Sequence, residues 1–343
     1  MTSQNINISA SSLVKTLLII GGIFALLYYG KALIVPLVVG AVVAIILDIP
    51  VKKFNNLGSP SWLSITLSVL IMLIIFTLLF WLISSQVGNI AEDWPTIKEK
   101  SIKKLNSLSQ WSKDKLNWNY KNYVEGNENL INKIESLTKA FATSFMNFLS
   151  KLLIIFIYII LFLAQKNQFI KFFRKLFSNK KAINTVLVKS AATIRNYFVG
   201  KGKIMVFLFV IYYGGFLIGS VPYALFLAIF AALFSIIPYV GNLIGGGVAV
   251  ILSYLYEGST PAFIVIGVLA AAQLIENYLL TPWIIGDEID LSPFITIFGI
   301  IFFSSLWGLI GAVIALPLIG ILKVIFEHTT KMEPYAYLLR KKS

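Results

Sequence analysis

Long apolar runs separated by short polar segments dominate the sequence. A run of roughly 20 apolar residues is the length that an α-helix needs to cross a bilayer. The pattern therefore predicts an all-α polytopic membrane protein, with three spans in residues 1–83 and a fourth in residues 141–164. The apolar runs in this half of the chain are 13–30, 32–47, 62–83 and the run that ends near Leu163.

Residues 84–140 form the only extended polar segment. Apolar residues such as Ile102, Leu105 and Leu108 recur there at three- and four-residue intervals, which is the spacing of an amphipathic helix. Nine lysines against seven acidic residues leave the segment nearly neutral, as suits a translocated region. We expect two amphipathic helices on the extracytoplasmic side, broken around residues 117–127.

Residues 203–328 are predicted to form a C-terminal membrane core with broken or re-entrant helices. Proline and glycine interrupt its apolar runs, and the run 293–303 is too short to cross a membrane alone. Broken helices at membrane depth commonly line transport sites, although tight turns between short spans also fit the first break. In all, about eight membrane segments are expected. The interrupting residues are Pro238, Tyr239, Gly241, Asn242, Gly245, Gly308, Gly311 and Pro317.

Three polar residues lie within the apolar segment 262–282. Gln273, Glu276 and Asn277 are three and four residues apart, so a helix places them on one face. A carboxylate inside a bilayer is costly and normally faces a protein interior, a water-filled cavity or a partner. We predict a substrate- or ion-binding site here, while a structural ion pair or a helix cap near the headgroups remains the alternative.

The distribution of charge predicts the orientation. The chain of 343 residues is 58% hydrophobic and 13% charged, with a net charge of +14. Ten Lys or Arg and no acid lie between Gln165 and Lys203, which is the signature of a cytoplasmic segment. We therefore expect residues 165–202 to be a basic cytoplasmic helical loop, and the N-terminus and the tail 329–343 to be cytoplasmic. The basic charge is assigned to the inner leaflet and not to nucleic acid.

The composition also bears on catalysis. The sequence has no cysteine and one histidine, His328, which follows the last apolar run. Thiolate chemistry is excluded, and one histidine cannot form a multi-histidine metal site. The apolar segments after residue 200 offer Glu276 but no second acid for an aspartyl site, and no Gly-x-x-x-x-Gly-Lys-Ser/Thr motif occurs. We expect no enzyme activity, no cofactor and no metal.

Four motifs in the second half of the chain resemble those of the autoinducer-2 exporter (AI-2E) family. The first is Phe234-Ser-Ile-Ile-Pro-Tyr-Val-Gly241, followed by Gly245. The second is Gln273-Leu-Ile-Glu-Asn277, leading to Pro282. Gly286 with Leu291-Ser-Pro293, and the run from Trp307 to Pro317, complete the set. Their order and spacing over about 85 residues make the resemblance specific.

The resemblance implies a secondary transporter in the inner (plasma) membrane and a homo-oligomer, with a pentamer as one state. It implies export of autoinducer-2 in some members and Na⁺(Li⁺)/H⁺ exchange in others. By matching positions it adds Pro282 and Pro293 to the structural residues. The expected partners are the bilayer, a small polar solute, and Na⁺ or H⁺. An uncoupled channel-like or scaffold oligomer remains a further alternative.

Overall fold

A computed structural model of the chain describes residues 10–116, 127–237, 241–286, 290–329 and 332–341. This described part is helical, with one isolated bridge pair and no named strand. The helices of the first half are α1 (Ala10–Tyr29), α2 (Lys31–Asn56), α3 (Ser61–Glu92), α4 (Trp94–Leu116) and α5 (Asn127–Leu176). Those of the second half are α6 (Lys180–Ile218), α7 (Ala224–Phe234), α8 (Gly247–Glu257), α9 (Ser259–Ile275), α10 (Thr281–Ile284), α11 (Pro293–Glu327) and α12 (Glu333–Leu339).

The protein is an all-α polytopic membrane protein, as the sequence predicts. Within the described residues, six helical segments are long and apolar enough to span a bilayer, and two shorter apolar helices accompany them. The six are Lys31–Asn56, Ser61–Ile90, Leu152–Leu176, Lys180–Ile218, Ser259–Ile284 and Pro293–Glu327, and the shorter two are Leu17–Tyr29 and Ala224–Phe234. At ~1.5 Å per residue the 39 residues of α6 reach roughly 58 Å, so only part of this helix fits in a hydrocarbon layer about 30 Å thick.

Two π-helical turns interrupt the helices of the second half. Asn242–Gly246 precedes α8, and Glu276–Leu280 follows α9. A π-turn is wider than an α-turn, and such turns occur frequently at functional sites. Both turns contain residues that the sequence marks as candidates. This places the polar residues at irregular backbone.

The chain divides into two compact units. The first comprises Met1–Ile45, Ile154–Ile194 and Asp290–Ser343, and the second comprises Ile46–Leu153 and Arg195–Ile289. In the first unit, glycine permits close packing of α2 on α5, because a Cβ at Gly40 would lie 2.7 Å from the Cβ of Tyr158. The indole nitrogen of Trp307 donates a hydrogen bond to the carbonyl of Leu27 at 3.0 Å, which joins α11 to α1.

The core of the second unit is built on small residues. Leu208 and Phe216 of α6 are fully buried, as are Ala228 and Ala231 of α7. A Cβ at Gly245 would lie 2.6 to 2.8 Å from atoms of Ala231, so only glycine permits this approach. Small residues at helix contacts are typical of membrane proteins, where packing replaces the hydrophobic effect.

Polar contacts near the start of α7 join further helices of the same unit. The Tyr223 hydroxyl donates a hydrogen bond to the Asp93 carboxylate, which follows α3. Burial and this hydrogen bond raise the pKa of the Tyr223 phenol. The Lys100 ammonium lies 3.5 Å from the centre of the Tyr256 ring, which holds α4 against α8 by a cation–π contact.

Candidate functional site

A buried ion pair joins α6 to the π-turn after α9. The Lys201 ammonium nitrogen lies 2.9 Å from Oε1 of Glu276, and each side chain is 7% exposed. Lys201 also donates a hydrogen bond to the backbone carbonyl of Ser235 at 3.3 Å. An unpaired ion in a low-dielectric interior costs several kcal/mol. Each of the two charges therefore depends on the other for its burial.

The burial of Lys201 follows from helical periodicity. Ile204, Leu208 and Tyr212 lie three, seven and eleven residues after it, and all three are fully buried. Residues at this spacing share one face of a helix. Lys201 therefore extends the buried stripe of α6, whereas Lys203, two residues later, is exposed.

The C-terminal end of α7 supplies the backbone partner. Ser235 is the C-cap residue of this 11-residue helix. The last carbonyl groups of a helix lack intrahelical donors and carry the negative end of the helix dipole. The Tyr197 hydroxyl donates to the next carbonyl, that of Ile236, at 3.5 Å. Two side chains of α6 thus donate to the carbonyl groups at the end of α7.

A chain of polar side chains accompanies the ion pair. The Tyr212 hydroxyl donates to Oδ1 of Asn242, and Nδ2 of Asn242 donates to Oε1 of Gln273. Nε2 of Gln273 donates in turn to Oδ1 of Asn277 at 3.1 Å. This series of hydrogen-bonded side chains therefore runs from buried Tyr212 to exposed Asn277. It connects α6, both π-turns and α9.

The structure separates the three predicted binding residues into two groups. Gln273 and Asn277 share a hydrogen bond, while the Glu276 side chain is turned to Lys201. Glu276 is buried and Asn277 is exposed, since adjacent residues of a helix point about 100° apart. The structure thus places an ionic group and an amide group next to each other on one segment.

The predicted structural residues lie at several kinds of position. Gly241 is buried, and a Cβ there would lie 2.5 Å from the carbonyl oxygen of Ala231. Asn242 and Gly245 belong to the first π-turn. Pro282 is in the first turn of α10, and Pro293 begins α11 after its N-cap Ser292. Pro238 and Tyr239 lie outside the described residues.

The break in α11 lies at Gly308. Its φ is 64°, which is a left-handed conformation that favours glycine. A Cβ at Gly311 would lie 1.9 Å from the carbonyl oxygen of Phe303, so the two segments of α11 meet closely here. Pro317 is buried further along the same helix. These three positions belong to the first unit, whereas the buried Lys201–Glu276 pair belongs to the second.

A second ion pair lies in the first unit. The Lys323 ammonium is 2.8 Å from Oδ2 of Asp290 and 3.0 Å from the Asp290 carbonyl oxygen. Near it, Arg340 pairs with Glu327 at 2.8 Å, and Leu291 forms a bridge with Arg340. The Glu327 carboxylate raises the pKa of the Arg340 guanidinium. These contacts hold the loop before α11 against the end of the chain.

Lys201 is the functional candidate that sequence reasoning missed. The sequence pattern assigns its charge to the basic cytoplasmic segment, because it lies at the boundary of the apolar run. The burial of Lys201 could have been predicted from its helical spacing with Ile204, Leu208 and Tyr212, which indicates that it shares their buried face. A carboxylate predicted inside the membrane also requires a cationic partner.

Comparison with known proteins identifies the family. Residues 17–331 match the family model of the AI-2E family transporters. The chain belongs to the AI-2E transporter family. The resemblance seen in the four sequence motifs is thereby confirmed, and the protein is a multi-pass membrane protein of a family of transporters.

Individual AI-2E relatives differ in how much of the chain they match. The AI-2 transport protein TqsA of Escherichia coli (strain K12) is 19% identical over 91% of this chain and 90% of its own length. YueF of Bacillus subtilis (strain 168), provisionally named a transport protein, is 34% identical over 41% of this chain. This match spans 38% of YueF, which is well below two thirds of that relative's length.

Proposed function

We propose that the chain is a secondary transporter that exports a small polar solute and uses a cation gradient to do so. The observation that carries this proposal is the buried Lys201–Glu276 pair beside the chain of amide side chains. The carboxylate is the group that binds Na⁺ or H⁺. Gln273, Asn277 and Asn242 supply the donors and acceptors for the solute.

The energetics of buried ions favour transport over a purely structural role. Apolar residues of similar volume are often as stabilising as a buried ion pair, or more so. A scaffold therefore gains little from charges at membrane depth, whereas a transporter needs a group that binds and releases an ion. The nearby π-turns give this group an irregular backbone, which is also found at the substrate sites of known transporters.

The polar chain suits a solute with several hydroxyl groups. Amide side chains both donate and accept hydrogen bonds, so they can pair with a hydroxyl group whether it acts as a donor or as an acceptor. TqsA is named as a transporter of AI-2, which makes autoinducer-2 the first solute to test. We place the protein in the inner (plasma) membrane with cytoplasmic termini, on the charge distribution, and propose a homo-oligomer.

A second candidate function is Na⁺(Li⁺)/H⁺ antiport without an organic solute. It is favoured by the same observation, because an acid and an amine are buried together at the site, with each side chain 7% exposed. Both candidates make the Glu276 carboxylate essential. They differ in whether autoinducer-2 is moved.

The first test uses purified protein in liposomes with an internal pH dye. An external pulse of NaCl is expected to raise the internal pH if Na⁺ enters in exchange for H⁺. Glu276→Gln keeps the shape of the side chain but loses its charge, and should reduce the initial rate by at least about tenfold. Glu257→Gln, at an exposed carboxylate at the end of α8, is the matched control and should behave as wild type.

A companion assay separates the two candidates. Liposomes loaded with autoinducer-2 are given an inward Na⁺ or H⁺ gradient, and loss of the solute is measured. Gradient-driven loss that Glu276→Gln abolishes supports solute export. A pH change without solute loss supports antiport, and equal activity of wild type and Glu276→Gln in both assays rejects the carboxylate as the ion site.

A further inference from the structure

The surroundings of the Lys201 ammonium are those of a bound cation. Two oxygen atoms accept hydrogen bonds from its nitrogen: Oε1 of Glu276 at 2.9 Å and the carbonyl oxygen of Ser235 at 3.3 Å. They come from two separate elements, the π-turn after α9 and the end of α7. Glu276, Ser235 and Lys201 are all at least 90% buried. Carbonyl oxygens at helix C-terminal ends are ligands that transporters use for Na⁺, and carboxylates are common oxygen ligands of hard cations.

We infer that these oxygens form a site for a monovalent cation, and that Lys201 is a tethered competitor which occupies it when the cation is absent. This inference rests on the proposed function and deepens it, because it names both the ligand atoms and the group that the ion displaces. The Lys201 side chain is long and flexible. It can therefore leave the oxygens while its backbone stays in α6.

The ligand set favours Na⁺ or Li⁺ over a divalent ion. One carboxylate supplies a single negative charge, whereas Ca²⁺ takes six to eight oxygen ligands, commonly with several carboxylates. No group of three or more metal-ligating side chains occurs among the residues that the structure describes. A single-charged site also explains why one lysine ammonium suffices to neutralise it.

Competition by Lys201 has a measurable consequence for affinity. In wild type, a cation must displace the ammonium before it binds, which weakens its apparent affinity. Without the amine, the carboxylate is buried with no counter-charge, and the cation becomes its partner. Removing Lys201 should therefore destabilise the protein and, at the same time, make Na⁺ a stronger ligand.

The test is the thermal unfolding midpoint of the purified full-length chain in NaCl, compared with choline chloride at equal ionic strength. For Lys201→Gln we expect a lower midpoint in choline chloride, substantial recovery in NaCl, and a Na⁺ affinity from this recovery about tenfold tighter than in wild type. Lys203→Gln removes an exposed lysine from the same helix and should leave the Na⁺ response of wild type unchanged.

Two further variants complete the test. In Lys201→Gln/Glu276→Gln no charge remains, so the specific response to Na⁺ should disappear. If Lys201→Gln alone does not fold, Lys201→Arg is used, because its guanidinium keeps the charge and holds a carboxylate more firmly. This variant should fold and bind Na⁺ several-fold more weakly than wild type. An unchanged Na⁺ response in folded Lys201→Gln or Lys201→Arg would overturn the inference.

The unfolding assay is independent of flux, so the two proposals fail separately. If Na⁺ rescues Lys201→Gln while wild-type liposomes move neither H⁺ nor autoinducer-2, the cation site stands and the transport proposal fails. If wild type shows Glu276-dependent flux but Na⁺ does not restore the stability of Lys201→Gln, the inference that a cation competes with Lys201 is wrong and the proposed function stands.

Discussion

Replacing Glu276 with Leu is expected to lower the free energy of unfolding by about 3–5 kcal/mol, because it leaves the Lys201 ammonium buried without a counter-charge. The Ser235 carbonyl, at 3.3 Å, is the other oxygen that accepts a hydrogen bond from this ammonium, and a neutral acceptor cannot balance a full charge. The change is measured as the unfolding free energy in detergent. Sodium should not restore it, since the lost group is the anion.

The double variant Glu276→Leu/Lys201→Met separates pairing from packing. Apolar residues of similar volume often replace a buried ion pair with little loss of stability. We expect the double variant to recover most of the stability that Glu276→Leu loses, and to remain without transport. If it were as unstable as the single variant, the pair would act through its shape and not through its charges.

Gly311→Ala is the second substitution with a large expected effect. The new Cβ would lie 1.9 Å from the carbonyl oxygen and 2.6 Å from the carbonyl carbon of Phe303. Both atoms belong to the backbone, so no side chain can rotate away to make room. Overpacking of a tight site typically costs 1–3 kcal/mol, and we expect a loss of about 3 kcal/mol in unfolding free energy, measured as for Glu276.

Gly267→Ala is the control for this clash. Gly267 lies in α9, and a Cβ added there would have no atom within 4 Å apart from those of its own helix and its chain neighbours. Alanine favours a helix over glycine by up to about 1 kcal/mol, so this variant should be neutral or slightly more stable. Equal losses in the two variants would show that the contact with Phe303 does not explain the loss in Gly311→Ala.

The helical fold could be predicted because the bilayer imposes one solution. Backbone polar groups have no water partner in hydrocarbon, so apolar runs of sufficient length must be helical. The interruptions at Gly308 and at Asn242–Gly246 are also visible in the sequence as glycine and proline within apolar runs. The identity of each interruption as a kink or a π-turn depends on contacts between distant segments, which one sequence does not display.

The candidate site could be predicted in part for the same reason. Glu276 is conspicuous in the sequence because it is a carboxylate among apolar residues. Its partner Lys201 is not conspicuous, because it lies at the end of an apolar run among other basic residues, where charge is expected. The hydrogen bond between Asn242 and Gln273 joins residues 31 positions apart, and no local pattern indicates such a pairing.

The π-turn Glu276–Leu280 also has a consequence for insertions and deletions. A π-turn holds one residue more than the α-helical turn that could replace it. Loss of one residue from this segment would convert the π-turn to an ordinary α-helical turn and leave the residues after it in their present orientation. Ile285 would then keep its packing against Gly200. The same deletion in the regular part of α9 would instead rotate everything after it by about 100°, so a change in length by one residue should be tolerated in the π-turn and rejected elsewhere in this helix.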